Sequence, residues 1–141
     1  MKRCQALRGL SREHHEALVL ARHASATAAD PGGEGARQQR DHLLLRWDAQ
    51  FEPHFALEER VLLPALVAAG HAELAREALA QHAELRRLVK SLESGEPLAL
   101  AAWGDAMATH VRFEERTLFP LAEIALDFSA LPDLMPLLAE H

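Results

Sequence analysis

Apolar residues recur at spacings of three and four along most of the chain, and loop-forming residues divide this pattern into four segments. Helices are predicted over about residues 11–29, 35–69, 71–93 and 97–127, with Ser11 as the N-cap of the first. Asp-Pro-Gly-Gly, a single glycine and Ser-Gly-Glu-Pro separate them. Because short loops favour antiparallel neighbours, the prediction is an all-α fold, an antiparallel up-down-up-down four-helix bundle with a short C-terminal tail.

Composition and charge support one domain across residues 1–141, with the bundle at about 10–127 and the tail at about 128–141. Hydrophobic residues make up 49% of the chain and aromatic residues only 5%, which favours helix-on-helix packing. The net charge of −6 argues against a nucleic-acid partner. Since no apolar run has the length of a signal peptide or membrane span, a cytoplasmic location without membrane contact is predicted. The lone cysteine, Cys4, is interpreted as a surface thiol.

One pattern occurs twice, at residues 47–64 and 103–120: Trp, six residues, His, three residues and Glu-Glu-Arg, followed by Leu and Pro. Seven of the eighteen aligned positions are identical. The tryptophan lies seven residues, or two helical turns, before the histidine, so both belong to one stripe. In the second helix, Pro53 and Pro64 are expected to cause a bend or to leave a carbonyl without a helical donor.

The repeat places a histidine and a glutamate one helical turn apart on each of two helices, as His54 with Glu58 and His110 with Glu114. An imidazole and a carboxylate on one face, opposite a second such pair in a bundle, suit a carboxylate-bridged metal pair. For a single copy, an amphipathic helix whose histidine and glutamate face water would be the favoured interpretation. The duplication of the pair together with its tryptophan favours metal binding.

The other two helices offer further histidines. His82 shares a stripe with apolar residues of the third helix and is predicted to be a ligand, the alternative being a buried histidine in a core hydrogen bond. On the first helix, His14 has apolar neighbours at helical spacings and is favoured. The alignment of His15-Glu16-Ala17-Leu18 with His82-Ala83-Glu84-Leu85 instead supports His15. The remaining histidines are interpreted as surface or loop residues: His23, His42, His71 and His141.

A histidine on the first helix, His-x-x-x-Glu on the second, a histidine on the third and His-x-x-x-Glu on the fourth together resemble the hemerythrin-like HHE cation-binding domain. The resemblance runs from about residue 10 to residue 124. It implies a four-helix bundle with a non-haem di-iron centre. The metal ligands that it implies are His14 or His15, His54, Glu58, His82, His110 and Glu114.

The sequence differs from the oxygen-carrying hemerythrins that it resembles. In those proteins the third helix supplies two histidines one turn apart, whereas here the second position is Arg86. The carboxylate of the fourth helix is Glu114 where the carriers have Asp. Two irons with an oxo or hydroxo bridge would then keep about one open position each, which favours reaction with oxygen, nitric oxide or peroxide over reversible oxygen carriage. Manganese or zinc are further possibilities. Glu59 and Glu115 match no ligand position and are interpreted as groups behind the ligands or in solvent, with a possible role in proton relay.

Several other classes of protein were weighed. No glutamate stands three residues before a histidine, which disfavours the ferritin-like di-iron bundles, and the chain contains neither tyrosine nor the zinc-protease sequence His-Glu-x-x-His. A first alternative is an iron-donating or iron-sulfur-repair protein, against which the single cysteine argues. A second is a metal-poor helical interaction module. The sequence identifies no redox or signalling partner.

Overall fold

The computed structural model describes residues 3–131, and its architecture is four long helices joined by short connections. The first helix, α1, is Gln5–Ala26, and a 3-10 turn at Thr27–Ala29 extends it. The second, α2, covers residues 34–68. The third, α3, is Ala72–Glu93, and the fourth, α4, covers residues 99–125. The all-α four-helix prediction is confirmed.

The predicted start of α1 at Ser11 is wrong, because the helix already begins at Gln5 with Cys4 as its N-cap residue. Leu7 and Leu10 have no exposed surface, so burying them stabilises two further N-terminal turns. The two glycines that end α2 and α3 adopt positive φ angles, 95° at Gly70 and 84° at Gly95, which side chains disfavour.

Both α2 and α4 contain π-helical turns, and each turn ends two residues before a proline. The turns lie at Trp47–Phe51 and Glu58–Leu62 in α2 and at Glu114–Leu118 in α4. In each, the N–H of the residue directly before the proline bonds five residues back, as from Leu63 to the Glu58 carbonyl. A wider turn gives space to the proline ring, which would clash with the carbonyl four residues earlier in a regular helix. The sequence predicts a bend or an unpaired carbonyl at Pro53 and Pro64, and the structure shows a widened turn before each proline within a continuous helix.

Contacts between consecutive helices run in opposite directions along the chain. Between α2 and α3, Glu52 pairs with Arg86 while Glu59 pairs with His82, so a later residue of α2 meets an earlier one of α3. This order is that of antiparallel neighbours. Helices α4 and α1 come close together at Gly104, where a Cβ atom would lie 2.5 Å from a backbone carbonyl oxygen of α1.

Two apolar clusters fill the interior, one on either side of a polar layer. One contains Trp47, Trp103 and the C-terminal half of α1, and the other contains Leu7, Phe119 and the N-terminal half of α3. Within residues 3–131, none of the helices combines the length and apolar character needed to cross a membrane. The predicted tail lies outside the described residues from position 132 onward.

Candidate metal centre

The two His-x-x-x-Glu pairs of the repeat face each other in the polar layer between the clusters. His54 Nε2 lies 3.0 Å from Glu58 Oε2, and His110 Nε2 lies 3.4 Å from Glu114 Oε1. Both carboxylates are completely buried. The π turns of α2 and α4 begin at these glutamates, so the repeated proline adjusts the helix at the residue whose carboxylate enters the centre.

Helices α1 and α3 each add one buried histidine, and each lies against the glutamate of a different helix. His14 Nε2 is 2.9 Å from Glu114 Oε1, and His82 Nε2 is 3.0 Å from Glu58 Oε1. Each glutamate therefore lies between the histidine of its own helix and a histidine of a neighbour. The potential ligand atoms form two groups, each within 4.8 Å: His14, His54, Glu58 and Glu114, and then Glu58, His82, His110 and Glu114. Both glutamates belong to both groups, as a doubly bridged metal pair requires.

The outward nitrogen of each histidine, Nδ1, meets an oxygen acceptor on another helix. Carboxylates and the amide oxygen can only accept, so Nδ1 donates, and in the neutral form of each imidazole Nε2 would present its lone pair to the centre. The acceptors form a ring, because α1 holds the histidine of α2, α2 that of α3, α3 that of α4, and α4 that of α1. The four contacts are Glu13 to His54 at 2.9 Å, Glu59 to His82 at 2.7 Å, Gln81 to His110 at 2.6 Å and Glu115 to His14 at 2.7 Å.

Two of these outer acceptors are themselves fixed by charged or hydroxyl groups. Arg86 does not reach the centre; it pairs with Glu52 and donates to Glu59 at 2.7 Å. Arg86 therefore forms a salt bridge behind His82 and does not extend freely into solvent. On the opposite side, Ser11 Oγ donates to Glu115 at 2.7 Å, and Arg3 lies 3.4 Å from the same carboxylate.

Aromatic side chains line the polar layer and limit the freedom of the imidazoles. Phe55 stacks on His82 with ring centroids 4.2 Å apart and meets His110 edge-on at 5.2 Å. Phe119 stacks on His14 at 5.3 Å. Both phenylalanines are buried, so they keep water away from the ring faces while the Nδ1 hydrogen bonds fix the ring orientation.

Proton affinities in the layer reflect mutual stabilisation of buried charges. Burial raises the pKa of Glu114, but the positive charge and hydrogen bonds of the surrounding histidines overcome this and hold the pKa well below its usual value. Burial lowers the pKa of His54, yet the charge of Glu58 and hydrogen bonds to carboxylates raise it well above its ordinary value. The pKa values of His14 and His82 rise in the same way, with burial opposed by hydrogen bonds to Glu114 and Glu58 respectively.

Several buried nitrogen and oxygen atoms of the layer form no well-aligned hydrogen bond within the described part of the chain, although imidazole and carboxylate approach each other closely there. They are the Nε2 atoms of His14, His82 and His110, Oε1 of Glu58 and both carboxylate oxygens of Glu114. Buried polar atoms without partners are costly, and a pair of cations among these lone pairs would satisfy them. Imidazole nitrogen and carboxylate oxygen are donors that suit iron, manganese and zinc, so the residues fit a metal pair.

The structure brings six of the sequence-predicted site residues together and leaves one outside. His15 is exposed on α1, while His14 faces the centre. The role of the six as ligands stays a prediction. Sequence reasoning missed two outer acceptors, Glu13 and Gln81, each of which directly precedes the inward histidine of its helix. Aligning Glu13-His14 with Gln81-His82, rather than His15 with His82, places the two acceptors at equivalent positions, although it does not show which histidine each contacts.

The chain belongs to the hemerythrin family. The family described as the hemerythrin HHE cation binding domain matches residues 5–122, which covers nearly all of the four helices and every residue of the centre. No curated protein and no solved structure gave a match. The resemblance inferred from the sequence is therefore confirmed at the level of the family.

Proposed function

We propose that this protein binds two iron ions, bridged by Glu58 and Glu114 together with an oxo or hydroxo group, and that the pair binds or reacts with oxygen, nitric oxide or a peroxide. The observation that carries the proposal is the sharing of both buried glutamates by two groups of four donors. Shared glutamates would hold two ions side by side, and this sharing supports a metal pair over a mononuclear site.

The donor set favours iron over the other candidate metals. A structural zinc ion prefers four tetrahedral donors and a closed shell, whereas this layer supplies six side chains with shared carboxylates. Mixed nitrogen and oxygen donation suits iron, with manganese next. Zinc remains able to occupy part of the set during purification, so metal analysis has to accompany every functional measurement.

Each ion would have four donor side chains, two histidines and two shared glutamates. A six-coordinate ion bridged once by oxygen then keeps about one position for an external ligand. No further protein donor is available from α3, because Arg86 is engaged with Glu52 and Glu59. The iron pair supplies one- and two-electron chemistry toward small oxidants at these positions.

The protein residues around the pair would control access and protons. Phe55 and Phe119 exclude water from the imidazole faces. Glu59 and Glu115 keep 24% and 30% of their side chains exposed while accepting from the Nδ1 atoms of His82 and His14. These two carboxylates therefore connect the layer with solvent and are suited to carry protons to and from it.

The test is reconstitution of the metal-free protein with ferrous iron under anaerobic conditions. We expect about two irons per chain, which is the stoichiometry of a bridged metal pair. Admission of air should then produce the absorption bands of an oxo- or hydroxo-bridged ferric pair, and nitric oxide should give a distinct spectrum from the reduced protein. A folded helical protein that retains no iron would contradict the proposal and leave the metal-poor interaction module.

A further inference from the structure

The two halves of the centre differ in one outer acceptor. We define the Glu13 half as His14 and His54, and the Gln81 half as His82 and His110. In the Glu13 half the Nδ1 of His54 donates to a carboxylate at 2.9 Å. In the Gln81 half the Nδ1 of His110 donates to an amide oxygen at 2.6 Å.

The remaining outer contacts of the two halves are of the same kind, although Ser11 also donates to Glu115. Glu115 accepts from His14 and lies beside an arginine, Arg3. Glu59 accepts from His82 and lies beside another arginine, Arg86. These contacts come from equivalent positions of the repeat, since the two glutamates directly follow the bridging ones. The exchange of a carboxylate for an amide at residues 13 and 81 is therefore the main chemical difference between the two halves.

A carboxylate and an amide affect a metal-bound imidazole differently. An anionic acceptor draws the Nδ1 proton and increases the electron density at Nε2, so the imidazole becomes a stronger donor to a cation. An amide fixes the ring orientation but exerts a weaker pull. Glu13 acts from a buried position with 8% of its surface exposed, where its charge is poorly screened.

We infer that the two metal positions are unequal: the Glu13 half binds its ion first and more tightly, and the choice of Gln81 over a glutamate makes the Gln81 half the weaker position. The inference rests on the proposed metal pair and adds an order of loading to it. Outer acceptors of this kind typically alter metal affinity by about 10- to 100-fold, which sets the expected separation between the two binding steps.

Position 81 offers a nearly isosteric way to remove the difference. Gln81 is half-buried and lines a groove of about 290 Å³ between α3 and α4, together with Glu84, Asp105, Ala106 and Thr109. A glutamate there would keep the oxygen that His110 contacts and would remain in reach of water. Glu13→Gln makes the reciprocal change, and Gln38→Glu at an exposed site of α2 is a control for the added charge.

The experiment titrates the full-length metal-free protein with Co²⁺ under anaerobic conditions. Absorption measures the number of binding steps and the difference in affinity between them. Nitrogen NMR of labelled histidines shows which imidazoles respond first. In the unmodified protein the signals of His14 and His54 should change in the first step. Gln81→Glu should tighten the second step by about tenfold or more, Glu13→Gln should weaken the first, and Gln38→Glu should leave both unchanged.

Three results would overturn the inference. In the first, His82 and His110 respond before His14 and His54. In the second, the two halves of the unmodified protein fill together. In the third, neither Gln81→Glu nor Glu13→Gln changes the difference in affinity between the two binding steps. Two equal binding steps would remove the inequality while the metal pair of the proposed function stands. Failure to bind Co²⁺ in any variant, with the helical fold intact, would overturn both.

Discussion

The helices of the bundle are of two kinds, and they contribute differently to the centre. Helices α2 and α4 carry the eighteen-residue repeat and each provide a histidine, a shared glutamate and a π turn at that glutamate. Helices α1 and α3 lack the repeat. Each provides one inward histidine, preceded by the residue that holds a histidine of the repeat, as in Glu13-His14 and Gln81-His82.

This difference shows how the centre is fixed in space. The shared carboxylates come from the repeat helices, but the orientation of each repeat histidine is set by a helix without the repeat. The reverse also holds, because Glu59 and Glu115 of the repeat hold the histidines of α3 and α1. The ring of outer contacts therefore couples all four helices. A substitution of an outer acceptor on one helix should change the orientation of the imidazole on the next helix.

The largest effect is expected from removing a shared glutamate of a repeat helix. Glu58→Ala or Glu114→Ala should lower the iron content from about two per chain to one or none, because each carboxylate belongs to both groups of donors. Iron analysis after anaerobic reconstitution measures this. Glu77→Ala, at an exposed position of α3, is the matched control and should retain the full complement.

The two glutamate variants also test the equivalence of the repeat helices. Both glutamates are completely buried between histidines, so the two variants should lose similar amounts of iron. If both variants kept two irons, the glutamates would not be ligands. If only one variant lost metal, only that glutamate would bind the ions. The repeat would then make the two helices similar in packing but not in metal binding.

A smaller but sharper effect is expected on α1. His14→Ala should remove or loosen one iron, since His14 Nε2 faces Glu114 and its Nδ1 is held by Glu115. His15→Ala is the adjacent control; it is exposed and should change the free energy of unfolding by no more than about 0.5 kcal/mol. Iron content and urea unfolding of both variants decide whether His14 or His15 is the ligand from α1. Loss of iron from His15→Ala alone would show that α1 is rotated by about one residue from the described position.

The sequence predicts much of the fold and the inner residues of the centre for a simple geometric reason. A ligand pair one turn apart on the same helix is readable from spacing, as for His54 and Glu58. An acceptor such as Gln81 is not, because its partner lies on another helix and the contact depends on how the two helices are rotated. The start of α1 was misplaced because Ser11 satisfied an N-cap preference, whereas burial of Leu7 and Leu10 decided the outcome.

The repeat helices differ in how closely they approach α1, and Gly104 tests this. A Cβ there would lie 2.5 Å from the Ala21 carbonyl oxygen and 2.8 Å from the Ser25 nitrogen, both backbone atoms that cannot rotate away. Gly104→Ala should destabilise the protein by about 1–3 kcal/mol through overpacking, partly offset by about 1 kcal/mol of helix propensity. The equivalent repeat position in α2 is Asp48, which is exposed, so Asp48→Ala should stay within about 0.5 kcal/mol.

Urea unfolding of the metal-free protein measures both changes, and the metal-free state keeps ion binding out of the comparison. Equal stability of Gly104→Ala and Asp48→Ala would contradict the close approach of α1 and α4. A destabilised Gly104→Ala that still reconstitutes with two irons would show that this contact supports the fold without shaping the centre.

The smallest effect concerns the salt bridge behind His82. Arg86 donates to Glu52 and Glu59 from a side chain that is 32% exposed, so water screens part of the attraction. Arg86→Met keeps the length of the side chain but removes its charge, and should cost about 0.5–1 kcal/mol in urea unfolding. Arg87→Met, which removes the exposed pair with Glu84 one residue later, should cause no measurable change. Arg86 is half-buried and joins two helices through Glu52 and the outer acceptor Glu59, whereas Arg87 is exposed and pairs only within its own helix. If they behave alike, Arg86 does not stabilise the contact between α2 and α3. If Arg86→Met is the less stable but loads metal normally, Glu59 keeps its hold on His82 without the arginine, and the ring of outer acceptors is sufficient to orient the imidazole.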